Sequence, residues 1–187
     1  MTRIVAGKWG GRRLVTPEGS HTRPTGEKVR AALGNSLTAS GGLLGARVLD
    51  LFAGSGALGL ELASRGADTV VLVDNDREAL TAARTNVQTL GAIGVEVVPA
   101  DAATYVATVL PRAEGFDFVV ADPPYSLPTE DLAAMLATLH GRGLLNPGAD
   151  IIVERPRRTG DMVWPEPLTA VRAKRYGDTL LCYGRAP

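Results

Sequence analysis

The stretch Arg47-Val48-Leu49-Asp50-Leu51-Phe52-Ala53-Gly54-Ser55-Gly56-Ala57-Leu58-Gly59 decides the fold. Its first six residues form a strand-length apolar run interrupted by one acid, and Gly54, Gly56 and Gly59 then satisfy the G-x-G-x-x-G spacing ahead of a helical stretch from Leu58 to Arg65. Glycines at such a turn let the backbone reverse tightly and approach a ligand with no Cβ in the way. Outward from this unit the same rhythm repeats. Apolar runs at Thr69 to Asp74, Val95 to Ala100, Phe116 to Ala121 and Asp150 to Glu154 alternate with helical stretches at Arg77 to Leu90 (apolar Leu80, Val87, Leu90) and Glu130 to His140 (apolar Leu132, Met135, Leu136, Leu139). Near-continuous apolar strands separated by helices predict an α/β chain with a parallel sheet covered on both faces, a Rossmann-like architecture. The end departs from the rhythm: Leu168 to Tyr176 and Thr179 to Gly184 meet at Gly177 and Asp178 as a hairpin, so one of its strands runs antiparallel to the rest.

Ahead of the sheet, Ile4 to Val15 is rich in glycine and β-formers and reads as one or two short strands with a turn at Gly10 and Gly11. Thr25 is a candidate cap for a helix carrying Glu27 in its first turn and Val29, Leu33 and Leu37 on its apolar face, broken by Ser40, Gly41 and Gly42. The 187 residues, 45% hydrophobic and 21% charged, have the composition of a globular chain, with no apolar run near the ~20 residues of a membrane span and no signal-peptide core at Met1. A cytoplasmic protein is expected. Cys182 alone cannot form an internal disulfide, and His21 and His140 add too few ligands for a zinc set, so no metal is expected.

The formal net charge of zero conceals a segregation. Residues 1–47 hold eight basic and two acidic groups, residues 48–153 five and fourteen, and residues 154–187 seven and four. Basic ends around an acidic middle suggest a face that meets an anion, nucleic acid first; exposed arginine-rich faces are also common, and 17 Arg against 3 Lys can reflect coding bias.

Asp50 sets the chemistry of the glycine turn. An acid four residues before Gly54 repels a pyrophosphate and suits an ammonium, which S-adenosylmethionine carries. Phe52, Ala53, Gly54, Ser55 and Gly56 would line that end of the cofactor. Asp74, 20 residues after Gly54, can accept both ribose hydroxyls with Asn75 beside it, and Asp101 with Ala102 follows the third strand, where it can accept from an adenine amino group. Any one of these acids can also be a helix cap. Asp74-Asn75-Asp76 lacks the sixth-position Gly and twelfth-position Glu of a calcium loop. The most specific motif is Asp122-Pro123-Pro124-Tyr125, directly after an apolar strand. Two prolines rigidify the turn and remove two N–H groups. An amino group can be held between the Asp122 carboxylate and the Pro123 carbonyl while Tyr125 stacks on the attached base, which are the needs of amine methylation.

This ordered set resembles the class I S-adenosylmethionine-dependent N-methyltransferases. The resemblance implies a seven-stranded sheet in the order 3-2-1-4-5-7-6 with strand 7 antiparallel. The N-terminal block narrows it: Arg3-Ile4-Val5-Ala6-Gly7-Lys8-Trp9-Gly10-Gly11-Arg12-Arg13-Leu14, then Arg23-Pro24-Thr25 and Lys28-Val29-Arg30-Ala31-Ala32-Leu33, is similar to the RsmD family of 16S ribosomal RNA guanine-N2 methyltransferases, over nearly the whole chain. Gly34 stands where that family has an aromatic Phe, and Asp74 where Glu is common. The resemblance implies methyl transfer from S-adenosylmethionine to the N2 amino group of one guanine in small-subunit ribosomal RNA, met within a small-subunit particle by a monomeric enzyme. Arg3, Lys8, Arg12, Arg13, Arg23, Thr25, Lys28 and Arg30 would then contact RNA, and the chain divides into a basic RNA-binding extension at 1–40 and a catalytic domain at 41–187. Two rivals share the residues. An adenine-N6 DNA methyltransferase needs a sequence-reading module that about 45 N-terminal residues do not supply, and a noncatalytic RNA-binding protein need not keep Asp122 to Tyr125.

Overall fold

The structure, a computed structural model, describes residues 2–17, 24–39, 42–111, 113–160 and 162–187; Arg23, Ser40, Gly41 and the side chain of Thr25 lie outside the described residues. A two-stranded piece, β1 (Thr2–Arg3) with β2 (Arg13–Leu14), precedes α1 (Pro24–Ala39). Then come β3 (Arg47–Leu51), α2 (Ala57–Ser64), β4 (Thr69–Asp74), α3 (Arg77–Leu90), β5 (Val95–Pro99), α4 (Ala102–Thr108) and β6 (Phe116–Ala121). The chain ends with α5 (Thr129–Gly141), β7 (Leu145–Pro156), β8 (Thr169–Tyr176) and β9 (Thr179–Arg185).

Seven strands form one sheet in the order β5-β4-β3-β6-β7-β9-β8. Counted from β3, this is 3-2-1-4-5-7-6, and β9 pairs antiparallel with both neighbours, as the terminal hairpin requires. Side-chain alternation explains why the central strands are apolar on both faces. Val48, Val70, Leu72, Val120 and Ile152 enter one cluster with Leu33 and Leu37 of α1 and Leu60 of α2. Leu49, Leu51, Val71, Val119 and Ile151 enter another with Val106 of α4 and Leu132, Leu136 and Leu139 of α5. Each strand therefore buries successive residues against opposite helical layers. β3 lies between β4 and β6, paired parallel to both, so the chain reverses direction across the sheet at that point and opens a crevice at the carboxyl ends of those strands.

Four expectations need correction. Helix α1 begins at Pro24, so Thr25 lies inside its first turn and does not precede it as a cap. The N-terminal segment is a strand only at its two ends, because Val5, Ala6, Lys8 and Trp9 between them donate to α2, while Gly10, Gly11 and Arg12 donate within the segment to close its turn. Val5 and Ala6 N–H groups reach the Glu61 carboxylate at 2.6 and 3.1 Å, Lys8 N–H reaches the Ser64 carbonyl at 2.8 Å, and Trp9 N–H reaches Ser64 Oγ at 3.0 Å. Gly7 is obligatory there, with φ +86° and a Cβ position lying almost on the Ser64 carbonyl. The helix α4 has no counterpart among the predicted elements; its seven residues include two Thr and a Val, and it buries only Ala102, Tyr105 and Val106. Finally, β7 is more than twice the predicted five residues: it starts five residues earlier at Leu145, which pairs with Phe116 across a register shift, and it runs two residues further to Pro156, paired antiparallel with β9.

The N-terminal piece and α1 share the first cluster with the sheet, burying Ile4, Trp9, Leu14 and Val29. Among the described residues no helix is long and apolar enough to cross a membrane.

Candidate active site

The crevice at the carboxyl ends of β3, β4 and β6 contains two cavities that meet. One, of about 490 Å³, is lined by Asp50, Phe52, Ala53, Asp122, Pro123 and Tyr125 together with Arg30 and Gly26 of α1. The other, of about 410 Å³, is lined by Phe52, Asp74, Asn75, Asp101, Ala102 and Asp122. Phe52, Asp122 and Pro124 belong to both. Of the residues expected to hold an ammonium, a ribose and an adenine, Asp50, Phe52, Ala53, Asp74, Asn75, Asp101 and Ala102 line these two cavities, with Asp122 common to both, whereas Gly54, Ser55 and Gly56 are not among the lining residues.

The glycine turn is built as its sequence demands. Gly54 and Gly56 have φ of +58° and +77°, and a Cβ on Gly56 would come within 2.7 Å of Leu72. Gly59 is equally constrained, since a Cβ there would meet Leu72 and crowd Asp50 Oδ2 at 3.0 Å. Phe52 also adopts positive φ, +63°, unusual for an aromatic residue and consistent with backbone strain held at a functional site. Asn86 fixes the far side of the turn, its Nδ2 donating to the Ser55 carbonyl at 2.9 Å while the same amide group pairs with both polar backbone groups of Val15.

Asp50 is 2% exposed, and its Oδ2 accepts the Gly59 N–H at 2.8 Å. Burial pushes its carboxyl up to about 8; the Gly59 N–H opposes this, and the charges of Asp122 and Asp74 reinforce it. Asp50 is therefore largely protonated at neutral pH until a cation placed beside it favours the carboxylate. Asp74 has a double task. Its Oδ2 accepts from Gly54 N–H at 2.7 Å and its Oδ1 from Asp76 N–H at 2.8 Å, so each oxygen retains acceptor capacity toward a hydroxyl while holding the turn. Asp101 is the N-cap of α4, with Oδ1 accepting from Thr104 N–H at 3.0 Å, and it faces the second cavity as well. Cap and cavity-wall roles coexist in one side chain.

The Asp122 turn follows β6 without interruption. Pro123 is buried, Tyr125 is 38% exposed, and the Pro124 carbonyl accepts from Leu127 N–H at 2.9 Å. The segment is anchored from below by Arg155, 3% exposed on β7, whose guanidinium donates to the Leu127 carbonyl and Thr129 Oγ1, each at 3.2 Å. Sequence reasoning does not find Arg155, because nothing short of strand pairing places it beneath this loop. Glu154 escapes it too, although this residue ends an apolar run as the other acids do. It lines the first cavity, and its Oε1 accepts from Thr179 Oγ1 at 3.2 Å.

The basic residues separate into distinct settings. Arg30 is half-buried and lines the first cavity, one Nη donating to the Arg3 carbonyl at 3.0 Å. Arg3 lies 3.8 Å from Glu27, Arg12 donates to the Thr89 carbonyl at 3.1 Å, and Lys8 sits over the Trp9 ring at 4.1 Å. Arg13 and Lys28 are exposed. Of the expected RNA-contacting residues with described side chains, Arg30 alone reaches the cavities.

Residues 2–185 match the family model described as conserved hypothetical protein 95. Ribosomal RNA small subunit methyltransferase D of Haemophilus influenzae is 32% identical over 94% of this chain and 89% of its own, and that of Escherichia coli is 38% identical over 66% of this chain and 60% of its own. The solved structure of yhhF from Escherichia coli superposes with a TM-score of 0.85 at 32% identity, covering 98% of this chain and 97% of that one. With its sheet order, glycine turn and Asp122 turn now placed, the chain belongs to the conserved hypothetical protein 95 family, the RsmD family of S-adenosylmethionine-dependent methyltransferases.

Proposed function

We propose that this protein transfers a methyl group to the N2 amino group of a guanine in 16S ribosomal RNA, acting as a cytoplasmic monomer on a small-subunit particle. The observation that carries this reading is the position of Asp122 and Pro124, shared between the cavity suited to a nucleoside and the cavity open to an incoming base. The residues fit S-adenosylmethionine: a buried acid at Asp50 for an ammonium, acceptors at Asp74 for a ribose, and Asp101 and Ala102 for an adenine. When bound, the cofactor supplies an electrophilic methyl on sulfur.

The chain itself positions the amine. An exocyclic amino nitrogen is planar and a weak nucleophile, so rate enhancement comes from alignment and from acceptors that meet the positive charge developing on it. The Asp122 carboxylate and the Pro123 carbonyl accept its two N–H groups, and Asp122 stabilises the charge that develops as the N–C bond forms and the methyl–sulfur bond breaks, until the proton passes to solvent water, leaving the methylated amine and S-adenosylhomocysteine. The Tyr125 ring stacks on the base once it is flipped out. Residues 1–40 serve as the RNA-binding extension to the catalytic domain at 41–187, with Arg30 at the cavity and Arg13 and Lys28 on the outer surface.

The test is mass spectrometry of nucleosides after incubation of the protein and S-adenosylmethionine with naked 16S RNA and, separately, with small-subunit particles. N2-methylguanosine is the expected product; N6-methyladenine, or no methylated base in either substrate, overturns the reading.

A further inference from the structure

Beside the catalytic cavity lies a third cleft, of about 680 Å³, walled by Tyr125, Pro156, Arg157, Arg158 and the Gly177-Asp178 turn, and meeting the catalytic cavity at Tyr125 and Thr179. Its two lips are tied together. Arg157 N–H donates to the Asp178 carbonyl at 2.8 Å, and Thr159 Oγ1 donates to the Pro156 carbonyl at 2.7 Å, closing the 3-10 turn that carries both arginines. Arg157 and Arg158 are exposed, and the Arg158 guanidinium lies over the Tyr125 ring, 5.8 Å from its centroid.

We infer that this cleft is a phosphate-binding subsite for the nucleotide next to the flipped guanine, an inference that rests on the function proposed above. The electrostatics require such a site. Among the described residues the catalytic cavity sets the carboxylates of Asp122 and Glu154, beside the buried Asp50, against the single cation Arg30, whereas the adjoining cleft sets Arg157 and Arg158 against Asp178 alone, so a base can enter the cavity while its flanking phosphates are better met in the cleft. The strand must leave over cations, and Arg157 and Arg158 are the cations on the wall that adjoins Tyr125. Guanidinium groups match phosphate geometry and also stack on aromatic rings, so Arg158 can brace the ring that holds the target base while Arg157 and Arg158 together hold the backbone beside it. The basic balance of residues 154–187, seven groups against four, gains a location through this pair.

The experiment compares wild type with R157Q/R158Q and R157K/R158K, using a single-stranded ribosomal RNA fragment that contains the target guanine. The Gln pair should bind S-adenosylmethionine within twofold of wild type, raise KM for the RNA about tenfold, and lower the slope of log affinity against log salt by about 1.4, at about 0.7 for each single-strand phosphate no longer neutralised. The Lys pair should retain most of the slope. Replacing the linkages flanking the target guanine with neutral methylphosphonates should weaken wild type and leave the Gln pair nearly unaffected. An unchanged slope and KM in the Gln pair, or an equal loss with charged and neutral linkages, overturns the inference while wild-type production of N2-methylguanosine leaves the function standing. A defect seen only on assembled particles and absent on the fragment assigns the cleft to a ribosomal protein and likewise overturns it. Wild-type protein that forms no N2-methylguanosine on either naked RNA or small-subunit particles removes both readings together.

Discussion

The Gly54 N–H donates to Asp74 Oδ2 at 2.7 Å, so the acid proposed to hold a ribose is also the clasp that closes the glycine turn onto strand β4. The relationship links cofactor affinity to local order. Asp74→Ala removes the ribose acceptors and frees the turn, and the expected loss of S-adenosylmethionine affinity is about 1.5–3 kcal/mol, the range for hydrogen bonds to charged groups. Calorimetry checks it. Affinity within twofold of wild type would remove Asp74 from the cofactor site.

The raised carboxyl of Asp50 gives the protein a pH dependence of definite sign. Pairing with an ammonium requires the carboxylate, so below about pH 8 cofactor binding releases a proton from Asp50, and affinity rises with pH until that value. Stability moves the other way. A carboxyl whose folded value lies above its unfolded value of about 4 contributes stability that is complete below the unfolded value and is lost as pH rises through the folded one. The unliganded protein should therefore lose stability between about pH 4 and about pH 8 relative to Asp50→Asn, measured by denaturant midpoints across that range. Parallel curves for the two proteins would show that Asp50 does not titrate there.

Asp122→Ala should leave cofactor affinity within a few-fold and reduce methyl transfer by about 10²–10³, the usual consequence of deleting one group that meets developing charge. Single-turnover rates at saturating RNA separate this from weakened binding. Turnover near wild type would mean that the amine is held elsewhere.

Much of this architecture is legible because hydrophobic period and glycine spacing are local signals. Thr69–Asp74, Arg77–Leu90 and Phe116–Ala121 have the boundaries that the sequence predicts, and the strand-end acids Asp50, Asp74 and Asp122 fall at one edge of the sheet once the strands are parallel. What escapes depends on partners distant in sequence. Arg155 acts on a loop 28 residues away, and Glu61 organises a segment 55 and 56 residues before it. No periodicity encodes such partners. Helix α4 is obscured by its length and its Thr content, and its cap, Asp101, attracts a ligand reading that its cavity-facing position also allows.

Gly34, where an aromatic residue is expected, has a structural reason. A Cβ there would stand 2.5 Å from Arg65 Nε, and Arg65 forms a buried ion pair with Glu61 at 2.7 Å. The glycine vacates the space that this pair occupies. Arg65→Ala leaves the Glu61 carboxylate buried with only the Val5 and Ala6 N–H groups and should destabilise by about 3–5 kcal/mol. Gly34→Ala should also destabilise in the wild-type background. With Arg65 already removed, the same change should be neutral or stabilising by up to about 1 kcal/mol, the helix preference of Ala over Gly. Additive effects in the double variant would break the connection.

The outer basic surface is open to a direct test of phosphate binding, and the structure dictates how to perturb it. Deleting residues 2–17 would strip partners from Glu61, Ser64 and Asn86 and remove buried Ile4, Trp9 and Leu14, so a loss of function there would report unfolding. Charge removal at exposed positions avoids this. The triple variant K8Q/R13Q/K28Q should melt near wild type and bind S-adenosylmethionine normally. Its log affinity for 16S RNA should fall less steeply with log salt, by about 0.7–0.9 for each phosphate that the variant leaves unneutralised. Residual activity should still produce N2-methylguanosine, because the proposed reading holds the base at Asp122 and Tyr125 rather than at the phosphates. N6-methyladenine in duplex DNA, with ribosomal RNA untouched, would reverse the substrate assignment and leave the cofactor residues as they stand.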